Sequence, residues 1–505
     1  MKYYIGVDIG TTSTKAVLYD QSAKVINKFQ QGYSLYRDQN GMAEQDPEEI
    51  VQTVLQIIHD AADLTHEEGN QLASISFSCA NQSLILLDQD HQPLTRVLTW
   101  ADTRARHQAD LLKQSDQAKT IYEKTGTPIH PMSPLTKLMW LKAEQPELIE
   151  KTAFYADIKS YLFWRLFGQF RIDVSIASCT GLMNLQTQYW DPEILTLVNV
   201  NPDQLPKIVD SIDQAVGLDP TIAEQMNIAT SVPFVYGAFD GALSNLGVGA
   251  IQRDTVAITI GTSAAARVVC DHPVIDPDQR LFCYSVNRHL WVVGGPVNNG
   301  GDVFQWAVEE LVDKPVHAKS KYDEANRIIG NSPAGAHGLL FHPFLGGERA
   351  PIWDANARGS FVGLNPIHTR DDMLRAVMEG ICLNIATVYE AVQSLVGLPK
   401  RVTATGGFAN SKIWRQMLAD VLDCPVNVPK SFESGCLGAV VMAMQSLGEL
   451  DDLSTVNKMI GQVEAYLPDE ETASLYHQYL KVFKQVENQL LPTYAALVGL
   501  QENQK

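Results

Sequence analysis

Two stretches of this chain carry one pattern, an apolar strand, a Gly-Thr turn and a second apolar strand, and few folds use such a hairpin twice. The first reads Tyr4-Ile5-Gly6-Val7-Asp8-Ile9-Gly10-Thr11-Thr12-Ser13-Thr14-Lys15-Ala16-Val17-Leu18. Apolar flanks around a polar break predict strand, tight turn and strand, with Gly10 free to take a positive φ. A loop of Gly, Thr and Ser can line up N–H groups and hydroxyls around phosphate oxygens. Asp8, ending the first strand, could hold Mg²⁺ through its water shell. An ordinary polar hairpin would read the same if it stood alone. It does not: Val256-Ala257-Ile258-Thr259-Ile260-Gly261-Thr262-Ser263-Ala264-Ala265-Ala266-Arg267-Val268 repeats it, with Thr259 where Asp8 stood. The chain therefore reads as two halves of one design, the metal-holding acid kept only in the first. Two such hairpins facing each other across a cleft would grip a nucleoside triphosphate.

Length and composition agree with two domains. A chain of 505 residues exceeds what one core usually serves, and 45% hydrophobic content is ample for two. The division is expected at 1–246 and 247–505. A net charge of −19 argues against nucleic acid or an anionic membrane as partner. Seven cysteines, scattered and never in a Cys-x-x-Cys pair, suit reduced, mostly buried thiols better than disulfides or zinc. The N-terminus enters a strand at once, Asp8 interrupts any signal-peptide core, and no uncharged run reaches membrane-spanning length. A cytoplasmic location is expected.

Other motifs follow in order. Asp46-Pro47-Glu48-Glu49 predicts a helix start, an N-cap Asp with Pro behind it, and Ile50, Val51, Val54, Ile57, Ile58 and Ala61 then recur at helical spacing. The strand Ala73–Ser78 runs into Asn81-Gln82-Ser83, either a plain turn or a ligand-facing lip. Asp102 and Arg104 point the same way on an extended stretch; they could bind polyol hydroxyls or pair with each other. The helix beginning at Met132-Ser133-Pro134 has a mostly apolar face that reads as core. Asp240 ends the strand through Phe239 and opens a helix, the place of a catalytic group or of an N-cap. Gly300-Gly301 precedes another helix, as close backbone approach to a nucleotide or as a bare loop. Thr405-Gly406-Gly407 ends a strand before the helix from Lys412 to Leu422, a good platform for a base. The small residues of Glu433–Ala439 suggest close helix packing, and an amphipathic helix is expected from Asp469 to Glu487 with frayed residues after it.

The paired hairpins resemble the actin-like ATPase superfamily. Read with Met132–Leu141, Gly237–Gly241, Gly347-Glu348-Arg349-Ala350-Pro351, Gly359–Leu364, Thr405-Gly406-Gly407 and Glu433–Ala439, the chain is similar, over nearly all its length, to the FGGY carbohydrate kinases. The resemblance implies an α/β fold of two ribonuclease H-like domains with a cleft between them. It implies ATP and Mg²⁺ as cofactors and transfer of the γ-phosphate to a sugar hydroxyl. Asp240 would be the catalytic base, and Asp8 the acid that orients Mg²⁺–ATP. Thr11, Thr12, Gly261 and Thr262 would contact phosphate, and Gly406, Gly407 and Asn410 adenosine. Gly10, Lys15, Gly300 and Gly301 complete the nucleotide set. Asn81, Gln82, Asp102 and Arg104 would read the sugar with Asp240. The lip Asn81-Gln82-Ser83 lacks the His of xylulose kinases and the Arg-Glu pair of glycerol kinases. Overall similarity within the family implies D-gluconate as acceptor, its carboxylate met by Arg104 or Gln82, with D-xylulose as the alternative. A homodimer is the family-level expectation. A chaperone or filament ATPase of the same superfamily, or a sugar sensor without catalysis, is the competing class. The Asp102, Arg104 and Asp240 set argues against the ATPases, and the retained Asp8 and Asp240 against the sensor.

Overall fold

The computed structural model describes residues 1–67, 69–313, 320–430, 433–450 and 452–502. They form two compact units. The first comprises Met1–Ile251, Cys270–Val292 and Glu433–Ile460; the second comprises Gln252–Val269, Val293–Phe432 and Gly461–Lys505. The chain leaves the first unit just before the second hairpin and re-enters it at Cys270 and again at Glu433.

In the first unit the hairpin strands Lys2–Ile9 and Ser13–Asp20 are antiparallel, pairing Asp8 with Lys15, and Val25–Gly32 extends them. On its other edge Lys2–Ile9 runs parallel to Gln71–Cys79, which runs parallel to Phe234–Phe239, and the short Gln214–Ala215 closes the sheet antiparallel. Buried residues fill these central strands, as expected where helices cover a parallel sheet. The helix Pro47–Asp63 starts as anticipated: Asp46 accepts from the Glu48 N–H at 2.9 Å, and Ile50, Val51, Val54, Ile57, Ile58 and Ala61 are buried. The helix Ser434–Ser446 packs on the same sheet and on the helix Asp240–Gly247.

The second unit repeats this plan. Six strands of one sheet lie in the order Trp291–Val297, Ala264–Cys270, Thr255–Ile260, Arg401–Thr405, Val426–Pro429 and Val463–Tyr466. The hairpin is antiparallel, the next two neighbours are parallel, and the edge strand is antiparallel again. Thr259 lies opposite Ala265 and beside Thr405, as Asp8 lies opposite Lys15 and beside Ser78. The repeated hairpins thus belong to repeated sheets.

Two expectations change. Gly10 does not adopt a positive φ; the turn closes with its N–H donating to Ser13 O at 3.0 Å, and a Cβ there would stand 3.1 Å from that oxygen. The glycine eases a tight approach there rather than supplying handedness. The C-terminal helix runs from Glu470 to Glu502 with Pro492 inside it, so residues 488–502 are helical where a frayed end was expected after Glu487; 503–505 lie outside the described residues. All seven cysteines are buried and free. Among the described residues no helix is long and apolar enough to cross a membrane.

Candidate active site

Each unit gathers its own set of candidate residues. In the first, Asp8 ends its strand half-buried, and Ser78 Oγ donates to its Oδ1 at 2.6 Å. Burial pushes the Asp8 carboxyl above its ordinary range, while the Ser78 hydroxyl and the Lys15 charge pull it down. The helix Ser434–Ser446 begins beside it: a Cβ on Gly435 would stand 3.4 Å from Asp8 Oδ2, so glycine keeps that oxygen accessible. Lys15 Nζ donates to Glu433 Oε2 at 2.8 Å, and Lys28 Nζ to Oε1 at 3.0 Å. Burial would raise the Glu433 carboxyl, but the two lysines outweigh it and hold it below its usual value. Lys15, expected at the nucleotide, is therefore already partnered within its own unit.

The turn itself is braced from behind. Gln45 Nε2 donates to Thr11 O at 2.6 Å, the Tyr33 hydroxyl donates to Gly10 O, and Trp100 Nε1 donates to Thr11 Oγ1 at 2.8 Å. Thr12 is exposed. Ile9, Gly10, Thr11, Ala80, Asn81, Thr99 and Trp100 line one narrow recess, which places the turn beside the expected sugar lip. A far larger cavity, about 1000 Å³, opens at the other end of the strands among Lys2, Gln71, Ala73 and Pro233. It contains none of the candidate residues.

Asp240 is brought to the same end of the sheet by a local irregularity. Between Val235 and Ala238 the register with Gln71–Cys79 shifts, and Gly237 sits there at φ +67. A Cβ on Gly237 would lie 1.9 Å from Phe77 O, so only glycine fits. After the shift Phe239 pairs with Cys79. The helix N-cap is Phe239, whose N–H donates to Ser175 Oγ at 3.1 Å; Asp240 is the first helical residue, and its Oδ1 accepts from Gly241 N at 2.7 Å. Asp240 is not the cap.

The lip is more engaged than its sequence suggests. Asn81 Nδ2 lies 3.2 Å from Cys179 Sγ. Gln82 has φ +62 and is 4% exposed, and its Nε2 donates to the Tyr284 hydroxyl at 3.1 Å. Asp102, 1% exposed, accepts from Ala43 N at 3.1 Å and from Arg104 Nη2 at 2.6 Å. Arg104 Nη2 also reaches Glu44 Oε1 at 2.5 Å, and the guanidinium lies 4.5 Å from the Trp140 ring centroid. The Asp102–Arg104 pairing considered from sequence exists, and a second acid joins it. Gln82 and Arg104, the expected carboxylate donors, are thus both already hydrogen-bonded.

The second unit brings Gly261, Thr262, Gly300, Gly301 and Gly406 together. Gly301 N donates to Gly261 O at 2.7 Å and Asp302 N to Thr262 O at 3.2 Å, stitching the start of the helix Gly301–Leu311 to the hairpin turn. Cβ atoms on Gly300 and Gly301 would lie 2.7 Å from Ser263 C and 2.6 Å from Gly261 O. Gly406, at φ +111, has Ile260 O where a Cβ would be, 2.2 Å away. Gly407 and Asn410 are exposed on the following 3-10 turn, with open space beside Gly407. Sequence reasoning passed over Glu348 here. Its buried carboxylate accepts from Asn298 N, Asn299 Nδ2, Arg349 N and Asn384 Nδ2 at 2.5–2.9 Å, fixing the approach to Gly300. An acid inside Gly347-Glu348-Arg349, between apolar runs, was the available signal.

Residues 3–247 match the FGGY family of carbohydrate kinases, N-terminal domain, and 256–447 its C-terminal domain. A gluconokinase of Bacillus licheniformis is 42% identical over 99% of this chain and 98% of its own. The crystal structure of gluconate kinase from Lactobacillus acidophilus superposes with a TM-score of 0.93 at 39% identity, covering 98% of this chain and 99% of that one. That of ligand-bound xylulose kinase from Lactobacillus acidophilus gives 0.94 at 38%, covering 98% and 100%. Two repeated sheets, each presenting a glycine-built turn, and a match to both family domains make one statement: the chain belongs to the FGGY family of carbohydrate kinases, enzymes that phosphorylate sugars with ATP.

Proposed function

We propose that this protein is a gluconokinase, moving the γ-phosphate of ATP to a hydroxyl of D-gluconate. The observation that carries the substrate is the 42% identity to a gluconokinase across 99% of the chain. Asp240, at the strand end, accepts the proton of the attacking hydroxyl, while Asn81, Gln82 and Arg104 orient the sugar, with Asp102 holding the guanidinium. Thr11, Thr12, Gly261 and Thr262 contact the phosphate oxygens, on turns that Gly10, Gly261, Gly300 and Gly301 hold compact with their own N–H groups. Gly406, Gly407 and Asn410 seat the adenosine. Phosphoryl transfer asks for alignment and neutralised charge rather than covalent help, which suits a site of this make-up.

Mg²⁺ fits Asp8. One carboxylate with one oxygen free of Ser78, and no group of three or more possible ligands among the described residues, suits a cation shared with nucleotide phosphates rather than caged by protein. Bound there, the cation would neutralise charge on the transferring phosphate. The free, buried thiols suit a reducing compartment, and we place the enzyme in the cytoplasm.

D-xylulose is the second reading, favoured by the 38% identity to a xylulose kinase structure. Coupled ADP release over a panel of aldonic acids, ketoses and polyols decides. We expect kcat/KM for gluconate to exceed that for D-xylulose by roughly 10² or more. A preference for xylulose overturns the proposal.

A further inference from the structure

Lys137 sits on the helix Pro134–Glu144 and is 0% exposed. Its Nζ donates to three backbone carbonyls: Gln82 O at 2.7 Å, Met132 O at 2.8 Å and Leu98 O at 3.4 Å. Among the described residues it forms no ion pair. The other fully buried lysine, Lys159, is offset by Asp173 at 2.6 Å. Burying an ammonium with no carboxylate beside it is costly, and a methionine of similar shape would avoid the cost. What only the ammonium supplies is three donors at one point.

The three carbonyls belong to separate segments. Gln82 is the lip residue held at φ +62. Leu98 stands two residues before Trp100, which bonds the Thr11 hydroxyl, and four before Asp102. Met132 precedes Ser133, the N-cap of the lysine's own helix. We infer that Lys137 is a positioning residue for sugar binding, a three-way pin that fixes the Asn81–Gln82 lip against the Trp100–Arg104 segment. It touches no substrate and sets where the residues that do must stand. Asp102 and Arg104 are the charged side chains acting on it, with opposite effects.

The inference rests on Asn81, Gln82, Asp102 and Arg104 being the sugar site, and the two can fail separately. Lys137→Met removes all three donors, and Lys137→Gln keeps an amide with two. We expect the sugar KM to rise roughly 10-fold or more in Lys137→Met and less in Lys137→Gln. The KM for ATP in sugar-free hydrolysis should stay within about 2-fold of wild type. Equal rises in both KM values, an unchanged sugar KM in a folded Lys137→Met protein, or failure of both variants to fold makes Lys137 an ordinary core residue and overturns the inference. Asn81→Ala is the control. If it leaves the sugar KM unchanged, the site assignment fails; if it raises KM while Lys137→Met does not, only the pin fails.

Discussion

Asp240 opens a helix directly after a strand, whereas Arg104 lies in a turn beyond the short strand Val97–Leu98, and the two should answer mutation differently. Asp240→Asn keeps shape but loses the proton acceptor, so turnover should fall by roughly 10² or more with sugar affinity retained; a folded variant with near-normal turnover would sink the role. Arg104→Gln uncovers two acids, one of them 1% exposed. We expect a stability loss of roughly 3 kcal/mol, at the low end for a buried pair because the guanidinium side chain is 17% exposed. Urea denaturation reads it, and gluconate and xylulose use should fall together rather than selectively. Lys137 adds a pH signature. Burial pushes it down to about 7, against the pull of Asp102. Between about 7 and its ordinary value near 10.5 the unfolded chain holds the proton and the native one does not, so this group makes stability rise with pH in that window, while the native amine keeps two N–H donors for the three carbonyls. Subtracting the pH–stability curve of Lys137→Met should leave that rise. The strand-end positions of Asp8 and Asp240 were legible because an acid closing an apolar strand is conspicuous. Lys137 was not: its partners are backbone carbonyls of residues far away in sequence, and a lysine on an otherwise apolar helix face reads as that face's polar edge.

At the scale of elements, the small-residue run Glu433–Ala439 announced close packing, and the structure shows how close. A Cβ on Gly438 would meet Leu243 O at 2.2 Å, one on Gly247 would meet Ser434 O at 1.9 Å, and one on Gly6 would meet Cys436 O at 2.3 Å. The helix carrying Asp240 and the helix beginning at Ser434 therefore touch backbone to backbone. Gly438→Ala should cost roughly 3 kcal/mol by overpacking, and because the displaced neighbour carries Asp240, turnover should drop with it. A Gly438→Ala protein as stable as wild type in a denaturant titration would contradict this contact. Helix starts such as Asp46-Pro47 and Lys412 were readable from local chemistry. The position of the helix Ser434–Ser446, on strands more than 350 residues earlier, was not, since nothing local encodes a partner so distant.

For the whole molecule, the doubled hairpin foretold doubled sheets, which the two units show. Repetition suggested two contiguous halves, whereas the chain interleaves the compact units. A fragment ending at Ile251 would lack Glu433–Ile460 and leave the backbone of Gly6 and the helix Asp240–Gly247 uncovered. We expect that fragment to be protease-sensitive and to melt without a cooperative transition, and a sharp two-state melt would show the returning segment to be dispensable. Glu433 acquires a meaning from this threading. It is the residue at which the chain re-enters the first unit, and it is clamped at once by Lys15 and Lys28. We expect a pull along the incoming chain to reach, through these ion pairs, the two strands that carry Lys15 and Lys28 as well as the helix that follows Glu433. Glu433 is thus placed as a tether point, joining the returning chain to the second strand of the first hairpin and to its neighbour.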